Sequence, residues 1–332
     1  MVQVSSQASV EAHEAVGSVG HGIATVADGT FGTSIASDQH LQGTCTGGNS
    51  VPDTAHVDAV IRRGEANADY HARESHRSCS RVKTLLDSAV LYHQRYIAKT
   101  LPPFASSATD HGTLLHSWLE LGDDFLESLV VPPPETLTAT GLMGKEAEKW
   151  AKNEAPAGAV VVSPKERAQI LAEVAAIKNN PAAAELLSRV VDHELSVYWE
   201  SADGHRLKCR FDALTSDGLV LDLKTTREAD ICCDFWKSVY SFRYHMQDAW
   251  YRAGMQAIGL EPKPLHFIVI STSLPHDCQV VTLPAAVVAE GQRLMDKGLA
   301  ELRLREDLDW WLPETHGEVI ELQFPAHVLG RI

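Results

Sequence analysis

Nowhere in this 332-residue chain do about 18 apolar residues follow one another, the length a helix needs to cross a bilayer, so a helical membrane protein is excluded. The opening Met1-Val2-Gln3-Val4-Ser5-Ser6 lacks a basic stretch followed by an apolar one. No secretory signal is therefore expected, and the expected location is cytoplasmic. Cysteine is scarce: Cys45, Cys79, Cys209, Cys232, Cys233 and Cys278 form no C-x-x-C pair, and two of them are adjacent. That spacing suits neither a disulfide framework nor a zinc site and reads as free thiols in a reducing compartment. Basic residues are in deficit, 29 Lys and Arg against 44 Asp and Glu, for a formal net charge of −15. Such a balance argues against tight binding of nucleic acid by surface charge. The deficit is uneven, however: residues 1–70 hold eight acidic side chains and only two basic ones, Arg62 and Arg63. A hydrolytic metal site also gathers carboxylates by necessity, and an enzyme that travels along DNA need not grip it tightly. Net charge alone leaves the substrate open.

What remains is ordinary for a protein with a sizeable core: 44% of residues are hydrophobic, and the length fits one large catalytic domain with an appendage. Residues 1–68 are rich in Gly, Ser, Thr, Ala and His, and Gly43 to Pro52 is turn-like throughout. Such a segment buries too little apolar surface to offset its chain entropy, so a disordered or weakly ordered extension is expected there, with the catalytic domain over 69–332. Helices are expected over 80–97 with a break near Ser88, and over 113–120, 144–153, 164–178 and 182–190. Ser163-Pro164 supplies a cap with proline in the first turn. From His193 the pattern changes to strands over 194–199, 206–214 and 219–225, separated by turns at Ala202–His205 and Ser216–Gly218. A long helix over 237–258, strands over 265–271 and 279–283, and a helix over 284–304 follow. Strands in the middle with helices on either side predict an α/β (α+β) core around a mixed sheet.

The third strand carries the chemistry. Side chains alternate along a strand, so Val220, Asp222 and Lys224 share one face while Leu219, Leu221 and Leu223 take the other. On the strand before it, Asp212 lies opposite Phe211, and an antiparallel turn through Ser216–Gly218 brings Asp212 toward Asp222. Glu194 joins from the first strand. Clustered carboxylates hold a hard divalent cation, which neutralises charge on a phosphorus-centred transition state. A lysine beside them orients water or stabilises the developing charge. An isolated D-x-K is commonplace, and a surface ion pair accounts for it equally well. It gains weight from Asp212 and Glu194.

Gly112-x-x-x-His116, Glu194, Phe211-Asp212-Ala213, Asp222-Leu223-Lys224-Thr225-Thr226 and Tyr244-x-x-Gln247-x-x-x-Tyr251 occur in that order. The set resembles the PD-(D/E)XK nucleases of the RecE type, the exodeoxyribonuclease VIII-like family of phages and prophages within the RecB-like branch. The resemblance runs over about residues 68–332 and implies a restriction-endonuclease-like core, a central mixed sheet flanked by helices. It implies metal ligation by Asp212, Asp222, the Leu223 carbonyl and His116, with Glu194 completing the acidic cluster and Lys224 acting on the nucleophilic water. His116 by itself, among Leu114, Leu115 and Trp118, reads as a boundary residue of a helix. Tyr244, Gln247 and Tyr251 share one helix face, and the resemblance places them against DNA with Arg243 beside them; a polar face packed on the sheet is the other reading. Phe211 stands where the class name has proline. The implied activity is a Mg2+-dependent exonuclease, with Mn2+ as the alternative ion. It runs 5′ to 3′ on double-stranded DNA ends and leaves mononucleotides and 3′ tails for recombination. A single-strand annealing protein and a ring-shaped homo-oligomer are the implied partners. No Fe–S cluster is expected, because four suitably spaced cysteines are missing. The rivals are a structure-specific or restriction-like endonuclease and a non-catalytic DNA-end-binding protein on the same fold. Trp310-Trp311 reads as core or boundary packing.

Overall fold

Capping and punctuation residues divide the chain into its elements. The computed structural model describes residues 59–101, 107–313 and 315–323. It opens with strand β1 (Val60–Arg62), helix α1 (Asn67–Ala72) and a short strand β2 (Arg77–Ser78). Helix α2 (Cys79–Asp87) ends at Ser88, whose hydroxyl accepts the Leu91 N–H and starts α3 (Ala89–Tyr92), continued by a π-helical turn over His93–Ile97. Next come α4 (Ser107–Leu121), α5 (Asp123–Ser128) and β3 (Leu129–Val130). Helix α6 (Lys145–Asn153) and β4 (Val160–Val161) follow, β4 pairing with β3. Helix α7 (Pro164–Asn179) begins on Ser163, whose hydroxyl accepts the Glu166 N–H; α8 (Pro181–Ser188) is capped by Asn180. The strands β5 (Val190–Glu200), β6 (Arg206–Thr215) and β7 (Val220–Thr226) then form the centre. Helices α9 (Ile231–Ser241) and α10 (Tyr244–Ala257), strands β8 (His266–Ser271) and β9 (Cys278–Val281), and helix α11 (Ala285–Leu308) complete the chain. No helix among the described residues is long and apolar enough to cross a membrane.

Seven strands make one sheet in the order β1-β5-β6-β7-β8-β9, with β2 attached to β6. The β7–β8 and β2–β6 pairs are parallel and the others antiparallel, so the sheet is mixed. Helices α9, α10 and α11 cover one face over Phe211, Trp250, Phe267 and Met295. Helices α4, α7 and α8 cover the other over Leu115, Ile170, Leu221 and Ile268. This is the α/β core with a central mixed sheet that the sequence pattern predicts.

Two expectations change. The helix expected over 237–258 is two helices, because Arg243 between them takes a left-handed φ of 50°. The core also starts before residue 69: Val60, Ile61 and Arg62 pair with Tyr198, Val197 and Ser196 of β5, and Arg63 pairs with Asp192 at 2.7 Å. Residues 1–58 of the expected extension lie outside the described residues. Close packing fixes α10. A Cβ on Gly291 of α11 would overlap the His245 carbonyl, so α11 and α10 meet there at backbone contact.

Candidate active site

One edge of β6 has two different neighbours. Near its end Ala213 and Leu214 pair with Leu221 and Val220 of β7; near its start Leu207 and Lys208 pair with Arg77 and Ser78 of β2. Between these pairings β6 and β7 splay apart, and the Asp212 carboxylate takes the place of a backbone acceptor: Oδ2 accepts the Leu223 N–H at 2.9 Å.

The strand pleat inverts at the same level. On a regular strand, residues two apart face the same way. Yet Leu195 and Phe211 pack under α9–α11, while Ala213 packs under α4 and α7 and His193 lines a cavity beside Trp118. The inversion falls at Glu194 and Asp212, which the flanking pairs His193↔Ala213 and Leu195↔Phe211 bracket. Glu194 has φ 46°, a left-handed value. For a side chain with a Cβ this stores about 1–3 kcal/mol of strain. The kink brings both carboxylates to α4, where His116 Nδ1 lies 3.3 Å from Asp212 Oδ2. Ligand atoms of His116, Glu194 and Asp212 all lie within 4.8 Å of one another. Helix α4 is held in turn through His111, whose Nε2 contacts the buried Glu173 of α7 at 2.7 Å.

Asp222 sits beside this group and belongs to a second one. Only 1% of it is exposed; Oδ1 accepts from Gln247 Nε2 at 2.6 Å, and Oδ2 touches the Lys224 ammonium without a well-directed hydrogen bond. Lys224 in turn lies 5.1 Å from the Tyr244 ring centre. Leu223 joins the two groups through its N–H. Burial pushes the Glu194 carboxyl up to about 7, aided by Asp212 and opposed by Arg210 and His116. Burial raises Asp222 also, with Asp212 adding to it and Lys224 opposing. Burial alone would lower Lys224, but Asp222 and Asp212 outweigh it and hold the ammonium charged. Carboxyls raised by burial, with Asp212 adding to the effect, mark a site short of positive charge, and the donor set of one imidazole and several carboxylate oxygens fits a divalent cation.

The α10 residues separate by role. Gln247 reaches the site. Tyr251 does not face outward: it is buried and its hydroxyl donates to the Arg210 carbonyl at 2.7 Å, so it fastens α10 to β6 in place of the expected DNA contact. Tyr244 stacks on Phe235 and Phe242, and Arg243 Nη1 bonds the Lys83 carbonyl and Asp87. Sequence reasoning missed Arg210. It is 9% exposed and donates to Ser196 Oγ, Asn67 Oδ1, Glu194 Oε2 and the Glu65 carbonyl at 3.0–3.4 Å. Its one sequence signal is its place two residues before Asp212.

A family model described as a PDDEXK-like domain of unknown function (DUF3799) matches residues 78–311. Among solved structures, that of a candidate exonuclease from Eubacterium rectale superposes with a TM-score of 0.54 at 15% identity, covering 80% of this chain and 97% of the other. That likeness is one of fold. Among curated proteins, none matches this chain.

Proposed function

The chain belongs to the PDDEXK-like family, and from that membership we propose that it is a metal-dependent nuclease degrading double-stranded DNA from its ends. The proposed direction is 5′ to 3′, releasing mononucleotides and leaving 3′ single-stranded tails for recombination. The observation that carries the reading is the convergence of His116, Glu194 and Asp212 beside the buried Asp222–Lys224 pair. These three residues, with Asp222 and the Leu223 carbonyl adjoining, would hold Mg2+, and the imidazole also suits Mn2+. When bound, such an ion supplies Lewis acidity toward a phosphoryl oxygen.

The chain's own residues do the rest. Lys224, kept charged by Asp222, orients the attacking water and meets charge that develops on the phosphoryl group. Gln247 fixes the Asp222 carboxylate, and Arg210 fixes Glu194. The water oxygen bonds to phosphorus while the bond to the 3′ oxygen breaks, and the leaving oxygen takes up a proton. Gln247, Tyr244 and Arg243, together at the start of α10, are the proposed DNA contacts. A single-strand annealing partner and a ring of identical subunits belong to this reading through the resemblance to RecE-type nucleases; encirclement would explain processivity at a net charge of −15.

The test is digestion of linear and closed circular duplexes, labelled at the 5′ or the 3′ end, with Mg2+, with Mn2+ or with EDTA. Metal-dependent loss of the linear form alone, 5′ label first, is the expected result. Cutting of the circle would replace this reading with an endonuclease, and binding without cutting with an end-binding protein.

A further inference from the structure

Glu173 is a fully buried carboxyl with no part in the chemistry above, and it stands between the elements that supply the metal ligands. The other buried residues of its helix, α7, are Ile170, Val174 and Ile177, and a carboxylate in such company is costly unless it is partnered. Its two oxygens have separate partners. Oε2 accepts from His111 Nε2 of α4 at 2.7 Å; Oε1 accepts from Gln169 Nε2 at 2.8 Å and lies 3.8 Å from His276 Nδ1, in the loop between β8 and β9. That His276 nitrogen donates to the Ser271 carbonyl at 3.0 Å, and Ser271 pairs with Thr226 at the end of β7, the strand of Asp222 and Lys224. One carboxylate thereby joins α4, α7 and the β7–β8 ladder. We propose that Glu173 and His111 are positioning residues of the metal centre: their ion pair fixes the rotation of α4 and so holds His116 beside Asp212, an inference that rests on the metal-dependent reading above.

The geometry of α4 makes this contact effective. His111 and His116 are five residues apart, about 140° around a helix that turns about 100° per residue, so one faces α7 while the other faces the strands. Leu114, Leu115, Trp118 and Leu119 bury the apolar side of α4, but apolar attraction is non-directional. A charge-assisted hydrogen bond sets both a distance and a direction. The hydrogen bond to Glu173 raises the His111 imidazole above its usual range, against the opposing effect of burial, and so favours its charged form. A rotation of α4 by about 10° would carry a side-chain atom about 6 Å from the axis through about 1 Å. That exceeds the tolerance of about 0.5 Å within which a working constellation must be held, and His116 Nδ1 is 3.3 Å from Asp212 Oδ2. The pair therefore bears on which ion the centre prefers. Imidazole suits Mn2+, whereas Mg2+ keeps several waters and replaces a lost ligand with another.

The experiment measures Mn2+ and Mg2+ binding to the full chain by calorimetric titration without DNA, together with thermal melting in EDTA. Exchanging the pair for apolar residues, His111→Leu with Glu173→Met, removes donor and charge together, a replacement that buried ion pairs tolerate without loss of stability. The melting temperature is expected to hold while the Mn2+ Kd rises about 10- to 100-fold, the effect of removing a group that orients a ligand. The Mg2+ Kd should rise by about threefold or less. His111→Gln keeps a donor toward Glu173 and should restore most of the Mn2+ affinity. In a His116→Ala background the apolar pair should change neither constant further, because it acts only through that imidazole. An unchanged Mn2+ Kd in the apolar pair, a loss that persists in full without His116, or a loss that follows the melting temperature through the series would overturn the proposal. If the apolar pair does not fold, Glu173→Gln decides: it keeps the shape, gives up the charge, and should weaken Mn2+ about fivefold at an unaltered melting temperature, an unchanged Kd overturning the proposal. Absence of cleavage by a protein that binds Mn2+ would refute the nuclease reading alone, because the binding constants still decide the pair.

Discussion

Replacing Glu194 by glutamine should make the metal-free protein more stable at neutral pH, the opposite of what removal of a charged hydrogen-bonding residue usually does. The Glu194 carboxyl moves from 4.5 in the unfolded chain to about 7 in the folded one, with 23% of the side chain exposed. Below pH 4.5 both states are protonated and the shift has no effect. Between 4.5 and 7 the unfolded chain releases a proton that the folded chain retains, so stability falls as pH rises; above 7 both are ionised and the loss is complete. At 1.36 kcal/mol per unit the loss is about 3 kcal/mol. Glutamine has no such proton and keeps an oxygen for Arg210. Urea unfolding in EDTA at pH 4.5, 6, 7 and 8 should therefore find the two proteins equal at the acid end. The variant should lead by about 3 kcal/mol at pH 8. Mn2+ at about 1,000 times its wild-type Kd should reverse the order, because that excess stabilises the wild type by about 4.1 kcal/mol and glutamine is a poorer ligand. A variant that tracks the wild type at pH 8 in EDTA would refute the premise that this carboxylate is electrostatically frustrated without a cation.

The remaining expectations are simpler. Asp222→Asn should lower DNA cleavage by about 10³-fold or more, since several kcal/mol of transition-state stabilisation depend on that carboxylate, while the melting temperature stays within a few degrees; retained cleavage on labelled duplex would exclude Asp222 from the chemistry. Arg210→Lys should weaken Mn2+ binding about 10- to 100-fold in a calorimetric titration, because the guanidinium that orients Glu194 is lost; unchanged affinity would make Arg210 structural only. Gly291→Ala should destabilise by about 3 kcal/mol in urea, because the new methyl meets the backbone of α10 and no flexible side chain can yield; an unchanged midpoint would show that α11 can move aside.

The parts of the site that follow a single period were legible in the sequence. Asp222 and Lys224 lie two apart on a regular strand, and the apolar Leu221 and Leu223 point into the opposite core. The parts that break a period were not. A period-two reading carries Asp212 through β6 without interruption, whereas the pleat inverts there, and the left-handed Glu194 on β5 has no compositional signature. The break at Arg243 was hidden because Trp236, Tyr240 and Tyr244 keep an i, i+4 spacing across it. Strand β1 has three residues, too few for alternation to register. Arg210 gains its role from Glu65, 145 positions away, a contact no local pattern contains.

That contact bears on where the working unit can be cut. Similarity to the family begins at residue 78, and a fragment trimmed to that point would look whole by alignment. It would lose Arg77 from the strand that flanks β6, the carbonyls of Tyr70 and Arg73 that anchor Lys208, and the Glu65 and Asn67 acceptors of Arg210. Arg210 would then keep only Ser196 and Glu194 of its four acceptors, and the guanidinium that orients Glu194 would be held from one side alone. Strand pairing carries the functional module upstream at least to Val60, some eighteen residues before the point where sequence kinship becomes visible.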